Sequence, residues 1–208
     1  MRKLMMAGTV ALFVITPGAA EMNTQRFKPL TPETMTAEQK EVADRIMAGP
    51  RKGMRGPFSA LLRSPELADS AQKLGEYVRF KTSIPPRLNE LAILLTARHW
   101  TAQYEWYAHR RLAMQAGLSQ DIADAIAEGK KPSAMGPEET IVYNFCHELL
   151  DTGQVSDANY KAVIDKFGER GAVDLIGVTG YYSLVAMVLN VDRVPIPDGG
   201  KLPLASLK

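Results

Sequence analysis

Residues 87–117, RLNELAILLTARHWTAQYEWYAHRRLAMQAG, constrain this chain more than any other stretch, because 87–116 contain neither Gly nor Pro. Apolar side chains return there every three or four positions, the period of one α-helix face. Glu90 sits at helical spacing from Ile93, Leu94 and Ala97. Glu105 and His109 are four apart, so on a helix they share a face and can touch. Trp106, Leu112 and Ala113 flank His109 at the same spacing. Acids and imidazoles set into apolar faces have shifted pKa values, which proton-transfer chemistry needs. Drawn as one straight helix, the run would hold Glu90 and His109 about 28 Å apart at 1.5 Å per residue, too far to share a site within one subunit. The bland reading has Glu90 satisfied by Arg87 or a backbone group. It makes Glu105 and His109 a surface pair worth on the order of a few tenths of a kcal/mol.

At 208 residues one domain is expected. Arg2 and Lys3 precede an apolar run over 4–15, and Pro17-Gly18-Ala19-Ala20 offers small residues before Glu21. That is the pattern of a secretory signal, so 1–20 are expected to be removed and the protein exported, with the periplasm as destination. The apolar run falls short of the about 20 residues that a transmembrane helix takes; an uncleaved anchor is the alternative. No other segment reads as membrane-spanning. Losing Arg2 and Lys3 takes the formal charge from +2 to 0, which leaves no electrostatic case for nucleic acid. Cys146 is the only cysteine, in a helical pattern with Tyr143 and Leu149. It reads as a small core residue, with an intermolecular disulfide as the functional alternative. A lone thiol forms no internal disulfide and cycles no dithiol, which argues against thiol peroxidase chemistry.

Helix signals dominate and strand alternation is nearly absent, so the fold class is all-α. Residues 21–35 read as an extended arm. Thr36 with Gln39 forms a capping box that opens a helix to about Ala48. Residues 49–57 are a breaker-rich loop, followed by a short helix. Ser64 caps the next helix, with Pro65 at its first position, and it runs to about Phe80. Residues 83–86 separate it from the central run. Ser119 opens a short helix to Glu128, and Gly136-Pro137 begins another that ends near Gly153. Ser156 caps a helix carrying Tyr160, Val163, Ile164 and Phe167 on one face, stopped at Gly168. Residues 172–191 are apolar almost all round, with Asp174, Gly177 and Gly180 inside, and read as a core or subunit-interface helix. The helical domain thus covers 21–192, and 193–208 form a proline-rich tail that could lie across a partner subunit.

The central run resembles the carboxymuconolactone decarboxylase superfamily, which includes the alkylhydroperoxidase D-like (AhpD-like) proteins. The peroxidase branch is marked by Glu, eleven residues, Cys, two residues, Cys, three residues and His. Counting back from His109 places Glu90 at the family glutamate, with Ala102 and Glu105 at the two cysteines. The spacing is kept and both thiols are gone. Tyr104-Glu105-Trp106 before His109, and Ala113-Met114-Gln115-Ala116-Gly117-Leu118-Ser119 after it, are similar to the decarboxylase branch instead. The similarity is firm over about 57–130 and extends to about 190.

The resemblance implies an AhpD-like helical bundle that assembles as a trimer or hexamer. It also implies two helices where periodicity draws one, with a break near Trp100 and Thr101 as the cap of the second. It implies cofactor-free acid–base chemistry, decarboxylation or double-bond isomerisation, on a small carboxylated lactone or related carbonyl compound. His109 would deliver a proton to carbon, Glu105 would orient and charge the imidazole, and Glu90, raised in pKa, would be a second acid or base. Arg51, Arg55 and Arg87, with Arg79 nearby, could clamp a substrate carboxylate, and Tyr104 and Trp106 could line the pocket. Two glutamates and a histidine could hold a divalent cation, but HExxH and paired-histidine spacing are missing. His99 and His147 read as packing or surface residues. The rival reading is a non-catalytic helical oligomer that binds a small ligand or partner; peroxide reduction, without the thiols, ranks below both.

Overall fold

The computed structural model describes residues 25–51, 53–197 and 202–206; the expected signal segment lies outside them. The described residues form eight helices and no strand. They are α1 (Ala37–Ala48), α2 (Phe58–Leu61), α3 (Pro65–Phe80), α4 (Pro86–His99), α5 (Gln103–Gln115), α6 (Gln120–Ala127), α7 (Pro137–Thr152) and α8 (Asp157–Asp192). Local chemistry sets most of their ends. The Thr36–Gln39 capping box is formed at α1, and the Ser119 hydroxyl accepts the Asp121 amide at α6. Proline stands in the first turn of α3, α4 and α7, where its missing N–H costs nothing. Gly153 ends α7 at a φ of 71°. Ser64 and Ser156 flank their helices without the expected side-chain caps. The Ser156 amide and hydroxyl instead both donate to the Glu148 carboxylate, at 3.0 Å each.

α4 is the axis of the molecule. Every residue from Leu88 to Arg98 is buried, and α5, α6, α7 and α8 all pack on it. Enclosed on all sides, α4 buries the polar Asn89, Glu90, Thr96 and Arg98 along with its aliphatic residues. Gly168 (φ 69°, ψ 178°) leaves helical geometry, so α8 is two helices meeting at a kink, and the first of them stops where expected. On the face of its first part, Tyr160 is exposed and Val163 is fully buried. By length and composition α8 could cross a membrane, a test that core helices also pass. Here its buried face carries Asp174, which accepts the Tyr77 hydroxyl at 2.8 Å and the Ser83 amide and hydroxyl at 2.7 Å each. Burial pushes the Asp174 pKa up, but these hydrogen bonds together outweigh it and hold the carboxyl below its usual value.

The described part of the tail lies on its own chain. The Gln103 amide donates to the Leu204 carbonyl at 2.7 Å and accepts the Leu204 amide at 2.9 Å, and Leu204 is buried. At the other end the Phe27 amide and the Gln25 side chain both reach the Asp192 carboxylate.

The break in the central run falls at 100–102. The Thr101 amide bonds the Arg98 carbonyl at 3.0 Å and the Ala102 amide bonds the Ala97 carbonyl at 2.8 Å. That is the paired closure of a Schellman motif, which places Thr101 in the left-handed region at a φ of 48°. Thr101 therefore ends α4 rather than capping α5, whose cap position is Ala102. A β-branched residue in that region carries strain of about 1–3 kcal/mol. Thr101→Gly relieves it and is expected to stabilise the fold by about 1 kcal/mol, after the larger entropy that glycine loses on folding. A thermal melt should show a rise of roughly 2–4 °C; an unchanged or lower midpoint would show that the threonine is unstrained.

Candidate functional site

Folding α5 back along α4 solves the distance problem of the straight helix. His109 Nδ1 lies 2.8 Å from Glu90 Oε2, and both residues are buried. The imidazole thus turns toward α4 for its carboxylate and not along its own helix. Glu105 shares the α5 face with His109, yet neither of its oxygens has a hydrogen-bond partner, and it is only 2% exposed. Burial pushes its pKa well above the usual carboxyl value. Its place in the first turn of α5 would favour the charged form, but the absence of any partner wins. The expected parts of the two glutamates are therefore exchanged: Glu90 holds the imidazole, and Glu105 is the isolated acid.

Glu105 and His109 border a cavity of about 620 Å³ that is also lined by Arg51, Arg55, Tyr104 and Arg79. Arg111, Phe58, Tyr107, Tyr181 and Tyr182 complete its polar and aromatic walls. Glu105 is the one carboxylate among the lining residues, facing four arginines. The Arg51 guanidinium lies 5.2 Å from the centre of the Phe58 ring and donates to the Tyr181 hydroxyl at 3.4 Å, while its Nε is buried without a partner. Gly75 makes this possible, since a Cβ there would collide with the Tyr181 hydroxyl and with Arg51. Tyr182 meets His109 edge to face at 4.9 Å, and its hydroxyl is buried with no partner. Burial raises the pKa of both tyrosines.

Two residues expected at the site are elsewhere. Arg87 reaches across to α7, where Glu138 and Glu139 pair with it, and it does not touch the cavity. Trp106 is buried in the core, on the side of α5 away from the lining. Arg111, Tyr181 and Tyr182 were not anticipated. The one sequence signal for the tyrosines is that two adjacent phenol groups stand within the mostly apolar stretch 172–191, where each buried hydroxyl needs a partner. Cys146 does not line the cavity: it is fully buried, it accepts a hydrogen bond from Thr179, and burial pushes its thiol up to about 12. Such a thiol supplies almost no thiolate at neutral pH. His99 and His147 share Asp151, at 3.7 and 3.1 Å, beside a second, smaller cavity. No group of three metal-ligating side chains forms among the described residues.

No family model matches the chain, and no curated protein matches it in sequence. Chemically, the site offers an imidazole with its Nδ1 held by a carboxylate, which leaves Nε2 to exchange protons. Beside it stand a buried carboxyl group whose pKa burial raises, an unused phenol hydroxyl and a positive rim, groups suited to attracting a small anion and exchanging protons with it.

Proposed function

We propose that this chain is an AhpD-like member of the carboxymuconolactone decarboxylase superfamily, an exported lyase or isomerase that does cofactor-free acid–base chemistry on a small carboxylated lactone or related carbonyl compound. The observation that carries this reading is the buried His109–Glu90 pair beside unpartnered Glu105 in an arginine-lined cavity. The arginines Arg51, Arg55, Arg79 and Arg111 bind the substrate carboxylates and hold the reacting carbon near His109. In decarboxylation the C–C bond to the leaving carboxylate breaks and its electron pair enters the conjugated ring as a dienolate. Glu105, as a neutral acid, and the Tyr182 hydroxyl donate hydrogen bonds to the developing oxyanion. Nε2 of the protonated imidazole then gives its proton to carbon, and Glu90 stabilises the imidazolium before transfer. The balance is one substrate carboxylate and one proton in, one C–H bond and one carbon dioxide out. Isomerisation uses the same groups with no net proton uptake.

The purified protein, incubated with butenolide carboxylic acids, is expected to release one carbon dioxide for each substrate consumed. Substrate conversion without carbon dioxide release would assign isomerisation. No turnover across such a panel, with ligand still bound, would favour a non-catalytic binding oligomer.

An oligomer belongs to the same reading. Val173, Ile176, Met187 and Val191 form an exposed apolar stripe on α8, with open space beside Gly180. Leu67, Leu74 and Phe80 on neighbouring α3 are exposed as well. Surfaces of this kind are usually covered by further copies or partners. Sedimentation is expected to give a species larger than one chain, and Ile176→Glu to dissociate it; a monomeric wild type would remove the assembly.

A further inference from the structure

Arg98, in the last turn of α4, is only 4% exposed. Its Nη1 donates to the Ala205 carbonyl at 2.8 Å, while Nε and Nη2 are buried with no partner. Desolvated donors left unused are costly, and buried charges are ordinarily paired. Arg98 borders a cavity of about 210 Å³ that is separate from the one at His109. Lys130, His99, His147 and Asp151 supply its other polar groups, and Leu95, Ile126, Tyr143 and Leu150 its apolar wall. Two cations there face one carboxylate, Asp151, which the two imidazoles already engage. Lys130 also pairs with Glu128, outside the lining.

We infer that this cavity is a second binding site, for a small monocarboxylate whose oxygens draw out the unpartnered Nε–Nη2 edge of Arg98, covered in the free chain, and whose short apolar part lies against Leu95, Ile126 and Leu150. That edge of a guanidinium presents two parallel N–H groups at the spacing of a carboxylate. The cavity, at about 210 Å³, is small, which suits a short-chain acid better than a bulky ligand. Inorganic phosphate would leave the apolar wall bare, so a carboxylate with a hydrocarbon end is the better complement. The tail helps to build the site. Ala205 takes one end of the guanidinium, and Gln103 clamps the neighbouring Leu204 backbone, so Nη1 of Arg98 is tethered while its other two nitrogens are left unpaired.

The test is a titration of the full chain with 3-methylbutanoate, followed by amide NMR shifts at His99, Gly129 and His147, with inorganic phosphate as the comparison. Saturable shifts with the carboxylate, and much weaker ones with phosphate, are expected. Arg98→Lys keeps the charge and loses the fork, and should weaken binding about tenfold or more. Leu150→Trp, which fills the cavity from a partly exposed position, should do the same if Arg98→Lys fails to fold. Arg51→Ala, in the other cavity, should leave these shifts unchanged. Absent saturation, equal binding by phosphate, wild-type affinity in the folded Arg98 or Leu150 variant, or loss of the shifts in Arg51→Ala would each overturn the assignment.

Discussion

Replacing His109 with alanine is expected to lower turnover of an accepted carboxylated substrate by about 10²–10⁴-fold while leaving its binding nearly intact, because a general acid is lost and the arginine rim is not. The split between the two constants is the informative part. A group that acts only in the transition state lowers kcat, whereas one that merely shapes the cavity shifts KM. Glu90→Gln gives the finer measurement. The amide can still accept from Nδ1, so the ring keeps its position, but the charge that stabilises the imidazolium disappears. Charge-assisted hydrogen bonds exceed neutral ones by about 1–1.5 kcal/mol, so a loss of about tenfold is expected on top of intact folding. A loss below tenfold for His109→Ala would remove the imidazole from the mechanism. Unchanged binding with no turnover in either protein would leave a ligand-binding oligomer as the surviving reading.

How much of this was legible depended on whether the deciding interaction was local. The α1 capping box, the loop at 49–57 and the Gly153 end of α7 rest on residues within one turn of each other, and sequence spacing finds them. The α4–α5 break was placed correctly near Trp100, but through the resemblance alone. The left-handed position that closes α4 holds Thr101, where glycine would have announced it. The pairing of His109 failed for a related reason. Spacing by four says that Glu105 and His109 share a face, but not which way the ring turns once α4 offers Glu90 from outside the helix. Arg87 was drawn away by Glu138 and Glu139, some fifty positions later, in the first turn of α7. Tyr181 and Tyr182 enter the site because α8 passes behind it, a tertiary fact that no periodicity carries.

The isolated acid has the largest stability consequence. Glu105 is buried, unpartnered, and raised well above its ordinary pKa of 4.5. Below the unfolded pKa both states of the chain are protonated, and ionisation of the group weighs nothing against folding. As pH rises past it, the unfolded chain ionises while the folded one does not. Stability then falls by about 1.4 kcal/mol per pH unit until the folded pKa is reached. Glu105→Gln removes that slope. The variant should melt with wild type near pH 4 and pull progressively above it as pH rises toward the folded pKa, by roughly 2–4 °C for each kcal/mol gained. Parallel curves over that range would mean that Glu105 is ionised and partnered in solution, which would end its part as a neutral donor. If the curves diverge, the chain retains a destabilising acid that glutamine would cure, and retention of that kind points to function. The same variant then separates two functional roles: a glutamine still donates a hydrogen bond to an oxyanion but cannot surrender a proton. Activity kept in Glu105→Gln therefore assigns Glu105 to electrostatic stabilisation, and activity lost assigns it to proton transfer beside His109.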